Sequence, residues 1–184
     1  MSDIVYLTFH DNINLESANR LMNVCAKVIQ QHNPQKLYFL FSSGGGSVDS
    51  GVTIYNYLRG LPQRVIMHNI GSIDSIANAI FLAGEERYAT AISAFLLHGV
   101  SWNFGQGASL TYSQMQETSS RFNAAEDLSA QIIGSRTTLT PEEVRSLFRQ
   151  GASKNPAFAL EKGIIHEIKE VQVPNGVPLY SIIP

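Results

Sequence analysis

A chain of 184 residues with 44% hydrophobic residues is long enough for one domain with a full hydrophobic core. Its formal net charge is −2 and its charged fraction is 15%, a balance that speaks against a nucleic-acid or membrane-surface partner. The start, Met1-Ser2-Asp3-Ile4, lacks a basic segment followed by an apolar one, and no apolar run could span a bilayer, so a cytoplasmic protein is expected.

Ile4 to Phe9 is rich in β-branched and aromatic residues and reads as a strand. Asn12 and Asn14 mark a turn. Leu15 to Gln31 follows as a helix, with Leu21, Val24, Cys25, Val28 and Ile29 at helical spacing, and Asn33-Pro34 ends it. Cys25 is the single cysteine, so there is no internal disulfide, which fits a reducing compartment. Leu37 to Phe41 reads as a strand covered on both faces. Ser42 to Ser47 is a glycine-rich turn, and a helix runs from there to Gly60. Arg64 to Ile70 is the next strand, and Ser75 opens an apolar helix that reaches Gly84. Arg87-Tyr88-Ala89 and Ala94 to His98 are two further strands.

This alternation predicts an α/β fold with a mostly parallel sheet and right-handed crossovers, in one domain spanning residues 1–184. Beyond His98 the character changes. Gly99 to Gly107 is punctuated by glycine and holds the single tryptophan, Trp102. Leu110 to Ile133 is a polar helix with a sparse apolar set (Met115, Phe122, Leu128, Ile132), as expected of an element that projects and packs on another subunit, and Gly134 is its expected C-cap. Thr140-Pro141-Glu142-Glu143 starts another helix, which ends near Gly151. Asn155 to Lys162 is a short helix, Ile164 to Val173 reads as a strand, and Pro174-Asn175-Gly176 as a turn.

Chemistry concentrates where strands give way to helices. The glycine turn and Ser75 both follow strand C-terminal ends, the edge where open α/β sheets place ligands. A serine at a strand-to-helix junction lifts its hydroxyl off the sheet beside free backbone N–H groups, although on this stretch alone an ordinary helix N-cap is the favoured reading of Ser75. Gly44-Gly45-Gly46-Ser47 lacks the ending of a P-loop and the spaced glycines of a dinucleotide fold, so its N–H groups are candidates for an oxyanion instead. His98, at the end of an apolar strand, could act as general base if paired with a serine on a neighbouring strand end. Asp74, beside Ser75 in an apolar run, could cap the helix or orient a partner. No cluster has metal-ligand spacing, and no metal or cofactor is expected.

Three stretches together resemble the proteolytic subunits of Clp proteases, serine peptidases of the ClpP/crotonase-like fold. The family motif Ser-Pro-Gly-Gly-Ser-Val resembles Ser43-Gly44-Gly45-Gly46-Ser47-Val48, and Gly-Gln-Ala-Ala-Ser-Met-Gly-Ala resembles Gly71-Ser72-Ile73-Asp74-Ser75-Ile76-Ala77-Asn78. The histidine strand of the family is similar to Arg87 to His98, and a C-terminal pattern to Pro156 to His166. The resemblance covers about Ile4 to Ile168. It implies strand–strand–helix (ββα) repeats and a projecting handle over about residues 99–134. It also implies Ser75 as nucleophile, His98 as base, and the N–H groups of Gly46 and Ile76 as oxyanion hole. Two departures stand out. The catalytic aspartate of the family falls at Gly151, and loss of that carboxylate costs about 10⁴-fold in turnover in a serine-protease triad. Asp127, Gln150, Ser153, Asn155 and Asp74 are candidates for the third member. The first strand is preceded by only three residues where the family has a segment that engages an ATPase ring, so an unfoldase partner is doubtful on this reading.

The leading expectation is a Clp-like serine peptidase acting on peptides or unfolded protein, without nucleic-acid or membrane partners, and the resemblance implies a homo-oligomeric, stacked ring. A catalytically inactive assembly subunit, alone or with an active paralogue, is the alternative motivated by Gly151. A crotonase-like acyl-CoA enzyme ranks last.

Overall fold

The computed structural model describes residues 3–101 and 109–182; Trp102 and the rest of the glycine-punctuated segment up to residue 108 lie outside the described residues. The chain begins with strand β1 (Ile4–His10), helix α1 (Leu15–His32), β2 (Lys36–Ser43), α2 (Val48–Gly60) and β3 (Arg64–Asp74). These three strands lie in parallel register, with β2 between β1 and β3. Side chains alternate across the sheet, so every second residue falls in the same layer. Leu7 stands opposite Phe39, and Phe39 opposite Met67. All three are fully buried with Val5, Phe9, Leu37, Phe41 and Val65 in the main core. Helices α1 and α2 close that core through Leu21, Cys25, Val28, Ile54 and Leu58.

The opposite sheet face carries Tyr6, Tyr38, Leu40, Ile66 and Tyr88, with Val171 and Val177 packed on it. It also holds His68, which is fully buried. Tyr38 OH donates to His68 Nδ1 at 2.8 Å, and His68 Nε2–H donates to the Lys169 carbonyl at 3.0 Å. Burial holds the His68 imidazole below its ordinary range. The Lys169 ammonium sits 3.1 Å from the centre of the Tyr88 ring.

β3 turns the chain toward the site. Its first half pairs with the parallel strand β4 (Glu86–Ala89), and its last residues pair with β5 (Ala94–Leu96). The changeover coincides with a register shift opposite Phe41 and Ser43 and with buried Asn69, whose Nδ2 donates to the Ala94 carbonyl at 2.8 Å. The strand expected to stop at Ile70 therefore runs on to Asp74. The helix expected from Ser75 is short: α3 covers Ala77–Phe81.

Helix α4 (Tyr112–Arg136) is about 37 Å long by its residue count. It opens with a capping box between Thr111 and Gln114. Its buried residues, Ala130, Ile132 and Ile133, fall in the last turns, so most of its length projects from the core. Met115 and Leu128 of the expected apolar set are exposed and Ile132 is buried. The helix does not stop at Gly134 as expected. It continues to Arg136, whose guanidinium donates to the carbonyls of Leu82 and Gly84, both at 3.0 Å.

The remaining elements are α5 (Pro141–Gln150), β6 (Ser153–Lys154), α6 (Pro156–Glu161), β7 (Glu167–Ile168) and β8 (Leu179–Ile182). β6 runs antiparallel to β5, while β7 and β8 pair in parallel with β4 and β1. The strand expected over Ile164 to Val173 thus shrinks to two residues, because β4 offers only a short edge to pair with. The result is the mostly parallel α/β architecture of the expectation.

Candidate active site

Ser75 is the first residue after β3, in the two-residue turn that leads into α3. It adopts φ +57°, a left-handed conformation that costs a residue with a Cβ roughly 1–2 kcal/mol. The surrounding structure holds it there. Ser75 N–H donates to the Leu96 carbonyl at 2.8 Å. Asn78, almost fully buried, directs its Nδ2 at the carbonyls of Ile73 (3.2 Å), Ser75 (3.1 Å) and Leu96 (3.0 Å). One amide side chain therefore ties the end of β3, the turn and the end of β5 together.

The glycine turn lies directly against this serine. Gly45 and Gly46 have φ +84° and +144°. A Cβ on Gly45 would stand 2.6 Å from Ser75 Cβ and 3.4 Å from its Oγ. The turn is fastened from behind by Ile13, whose N–H donates to the Gly45 carbonyl at 2.7 Å and whose carbonyl accepts from Ser47 at 2.8 Å. Among the described residues, the N–H groups of Gly46 and Ile76 have no protein acceptor. Two unpaired donors beside one hydroxyl are the elements of an oxyanion hole.

His98 follows β5 by two residues, and β5 pairs directly with the end of β3. Ser75 and His98 line one small pocket, whose apolar wall is Val48, Ile76, Ala79, Val100, Ile133 and Phe148. A wider groove continues from Gly46 and Val48 to Arg121, Phe122 and Ala125 on α4. Among the described residues no hydrogen bond joins Ser75 Oγ to His98. His98 Nδ1 instead lies 2.7 Å from the Gly99 carbonyl. A carbonyl can only accept, so Nδ1 carries the proton and Nε2 is left as the basic nitrogen.

Four of the five candidates for a third member are engaged elsewhere, and the fifth, Ser153, is exposed. Asp127 is exposed and pairs with Arg145 at 2.9 Å. Gln150 Oε1 accepts from Lys154 Nζ, and its amide nitrogen reaches Ser146. Ser153 is exposed on β6 opposite Leu96. Asn155 caps α6 by accepting from Phe158 N–H at 2.9 Å. Asp74 ends β3 and accepts the Ser72 hydroxyl. It caps no helix, because the strand runs through it. Gly151 is the left-handed C-cap of α5 and has open space around it.

The sequence reading passed over two side chains here. Asn78 takes an alanine position of the motif, where a polar residue in an apolar helix was the available signal. Glu126, half-buried on α4, accepts from Val100 N–H at 3.1 Å. Glu126 precedes the pocket residues Ser129 and Ile133 by three and seven positions, one helix face, whereas Asp127 is out of phase with them.

The model of the family described as Clp protease matches residues 2–172. The ATP-dependent Clp protease proteolytic subunit 2 of Pseudomonas aeruginosa is 28% identical over 144 residues, 75% of this chain and 70% of that protein. Proteolytic subunit 2 of Tropheryma whipplei is 26% identical over 151 residues, 79% of this chain and 82% of that protein. Proteolytic subunit 1 of Leifsonia xyli subsp. xyli is 28% identical over 103 residues, 55% of this chain, and the chain spans about half of its length, 52%. The chain belongs to the Clp protease family.

Proposed function

We propose that this chain is a serine peptidase in which Ser75 is the nucleophile and His98 the general base. The observation that carries the reading is Ser75 itself, held at φ +57° in one pocket with His98 and beside two unpaired N–H groups. In the acylation step His98 Nε2 takes the proton of Ser75 Oγ as Oγ bonds to the peptide carbonyl carbon. The carbonyl oxygen becomes negative between the N–H groups of Gly46 and Ile76. The imidazolium then returns its proton to the leaving amine as the C–N bond breaks, and water repeats the sequence on the acyl-enzyme. The groove along α4, which opens beside the small pocket, is where an extended peptide would lie.

The relatives are named as ATP-dependent proteolytic subunits. For this chain we extend the subunit role to a homo-oligomeric ring, supported by Tyr112, Met115 and Leu128 exposed on the projecting helix. Buried Cys25, its thiol pushed up to about 12 by desolvation, is inert and compatible with a cytoplasmic protein. The absence of an aspartate at Gly151 supports a second reading, an assembly subunit without catalysis.

The two readings separate on fluorophosphonate labelling of the purified protein, followed by intact mass. A single adduct that is lost in Ser75→Ala and His98→Ala is the expected result. A folded, assembled parent that takes up no adduct would replace the peptidase reading with the second one.

A further inference from the structure

With position 151 occupied by glycine, the imidazole of His98 lacks the carboxylate that a serine triad places behind it. We propose that Glu126 serves as the positioning residue of His98 and acts on it through the Gly99–Val100 peptide group. This inference rests on the reading of Ser75 and His98 as nucleophile and base.

The three groups form a chain. His98 Nδ1–H donates to the Gly99 carbonyl at 2.7 Å. The N–H of the same peptide group, carried by Val100, donates to Glu126 Oε1 at 3.1 Å. A carboxylate that accepts from an amide N–H forms a charge-assisted bond and polarises that amide, so its carbonyl oxygen becomes a stronger acceptor. The carbonyl holds the proton on Nδ1 and leaves the Nε2 lone pair for Ser75. When Nε2 takes the serine proton, the new imidazolium faces a carbonyl with a carboxylate behind it. No proton passes through the peptide.

The local sequence permits this approach. A Cβ on Gly99 would stand 2.5 Å from Glu126 Oε1, so a side chain there would push the carboxylate away. Gly99 N–H donates to the Phe148 carbonyl on α5 at 3.3 Å, which holds the loop from its other side. The other charged groups on the surrounding elements are turned to different partners or to solvent. Asp74 at the end of β3 accepts from Ser72, and Asp127 on α4 pairs with Arg145 on α5. Lys154 on β6 donates to Gln150, while Asp49 on α2 and Arg149 on α5 are exposed. Among the described residues, Glu126 is the carboxylate bonded to the loop that holds the imidazole.

The test compares the full-length parent with Glu126→Gln, which keeps an acceptor for Val100 N–H but removes the carboxylate, and with Gly99→Ala, which displaces the carboxylate without replacing it. Fluorophosphonate labelling rates are measured against pH. In parallel, the ring resonances of His98, assigned by their loss in His98→Ala, are titrated by NMR. Without the carboxylate the imidazole is less readily protonated. Both the acid limb of the labelling profile and the His98 titration curve are expected to move to lower pH in both variants. Maximal labelling is expected to fall by about tenfold. Unchanged curves in folded Glu126→Gln protein, or in Gly99→Ala if the first variant does not fold, would overturn the relay. If the parent labels normally while the curves coincide, the Ser75–His98 reading survives and Glu126 has no such role. If the His98 curve shifts while no protein labels, the relay stands and the peptidase reading falls.

Discussion

Gly45→Ala is the sharpest perturbation that the geometry offers. The added methyl group would stand 2.6 Å from Ser75 Cβ and 2.7 Å from the Asp74 carbonyl oxygen, distances that carbon does not tolerate. Restoring ordinary contact requires a movement of about 1 Å between the glycine turn and the serine, since non-bonded carbons settle at about 3.5–4.0 Å. Neither side yields easily. Ser75 is fixed by the Leu96 carbonyl and by Asn78, and the turn by Ile13. Position 45 also has φ +84°, which adds roughly 1–2 kcal/mol for any residue with a Cβ. With overpacking of about 1–3 kcal/mol, the expected loss of stability is about 2–5 kcal/mol. A misplacement of about 1 Å at the reacting atoms costs on the order of 10²-fold in rate. Urea unfolding and the rate of fluorophosphonate adduct formation measure the two effects. Gly44→Ala is the control, because its Cβ would meet Asn12 Oδ1 at an ordinary 3.5 Å and its backbone is not left-handed, so it should change neither. Gly45→Ala with parent-like labelling and less than about 1 kcal/mol of destabilisation would refute the close packing of turn and serine, since that packing is the source of both magnitudes.

Three further outcomes follow from other parts of the molecule. Arg87 is buried, its guanidinium is lowered to about 10 by desolvation, and it donates to the carbonyls of Ile164, Gly84, Arg136 and Gly163. Arg87→Lys cannot reproduce that fork and should cost about 3 kcal/mol in urea unfolding; a loss under about 1 kcal/mol would show that the carbonyls find other donors. His68 and His166 are both held below the usual imidazole value of 6.5 by burial, so the unfolded chain binds more protons than the native one below that value. Their contribution to stability is complete above pH 6.5 and is lost as pH falls from there toward the lowered native values, which a lower thermal midpoint at pH 5.5 than at pH 7 would register and His68→Gln would reduce. Gly151→Ala should cost only the left-handed backbone penalty of about 1 kcal/mol and leave labelling unchanged, because its Cβ meets nothing. A fall in labelling would show that position 151 still serves the site.

Most of the strand and helix order was legible because it rests on periodicity. The alternating positions of Val5, Leu7 and Phe9 and of Leu37, Phe39 and Phe41 have no other use than a two-faced sheet. The elements that escaped were those defined by pairing rather than pattern. β6 and β8 exist because β5 and β1 leave open edges, a property of the assembled sheet and not of Ser153–Lys154 or Leu179–Ile182. The extension of β3 through Gly71 to Asp74 escaped for the same reason, since β5 supplies the partner. In the site, residue types that tolerate few alternatives were readable, such as the paired glycines and the serine after the strand. Glu126 was not, because its relevance depends on a loop that bends back so that Val100 N–H meets α4.

The parts of this site differ in what maintains them, and that difference bears on the missing aspartate. The position of Ser75 and the two unpaired N–H groups is set by backbone: a left-handed residue at a strand end, two left-handed glycines and a parallel pairing of β3 with β5. Such features belong to the fold, held by these pairings and by the buried Asn78 amide, beside the core residues Ile73, Ile76 and Phe95. The carboxylate behind the imidazole is different. At position 151 it would stand on the exposed C-cap of α5, where glycine is the residue best suited to the left-handed turn. Glycine at position 151 favours the helix end and leaves the core untouched, so on the proposed reading a carboxylate there is the part the fold can do without most cheaply. What the imidazole needs in its place is an acceptor at Nδ1. The loop already provides one in the Gly99 carbonyl, and α4 places a negative charge on the far side of the same peptide group. If Ser75 and His98 act as proposed, a backbone-held site keeps its nucleophile, base and oxyanion donors without an aspartate at position 151, and its rate is set by how well a neutral carbonyl and a carboxylate one peptide away stabilise the imidazolium.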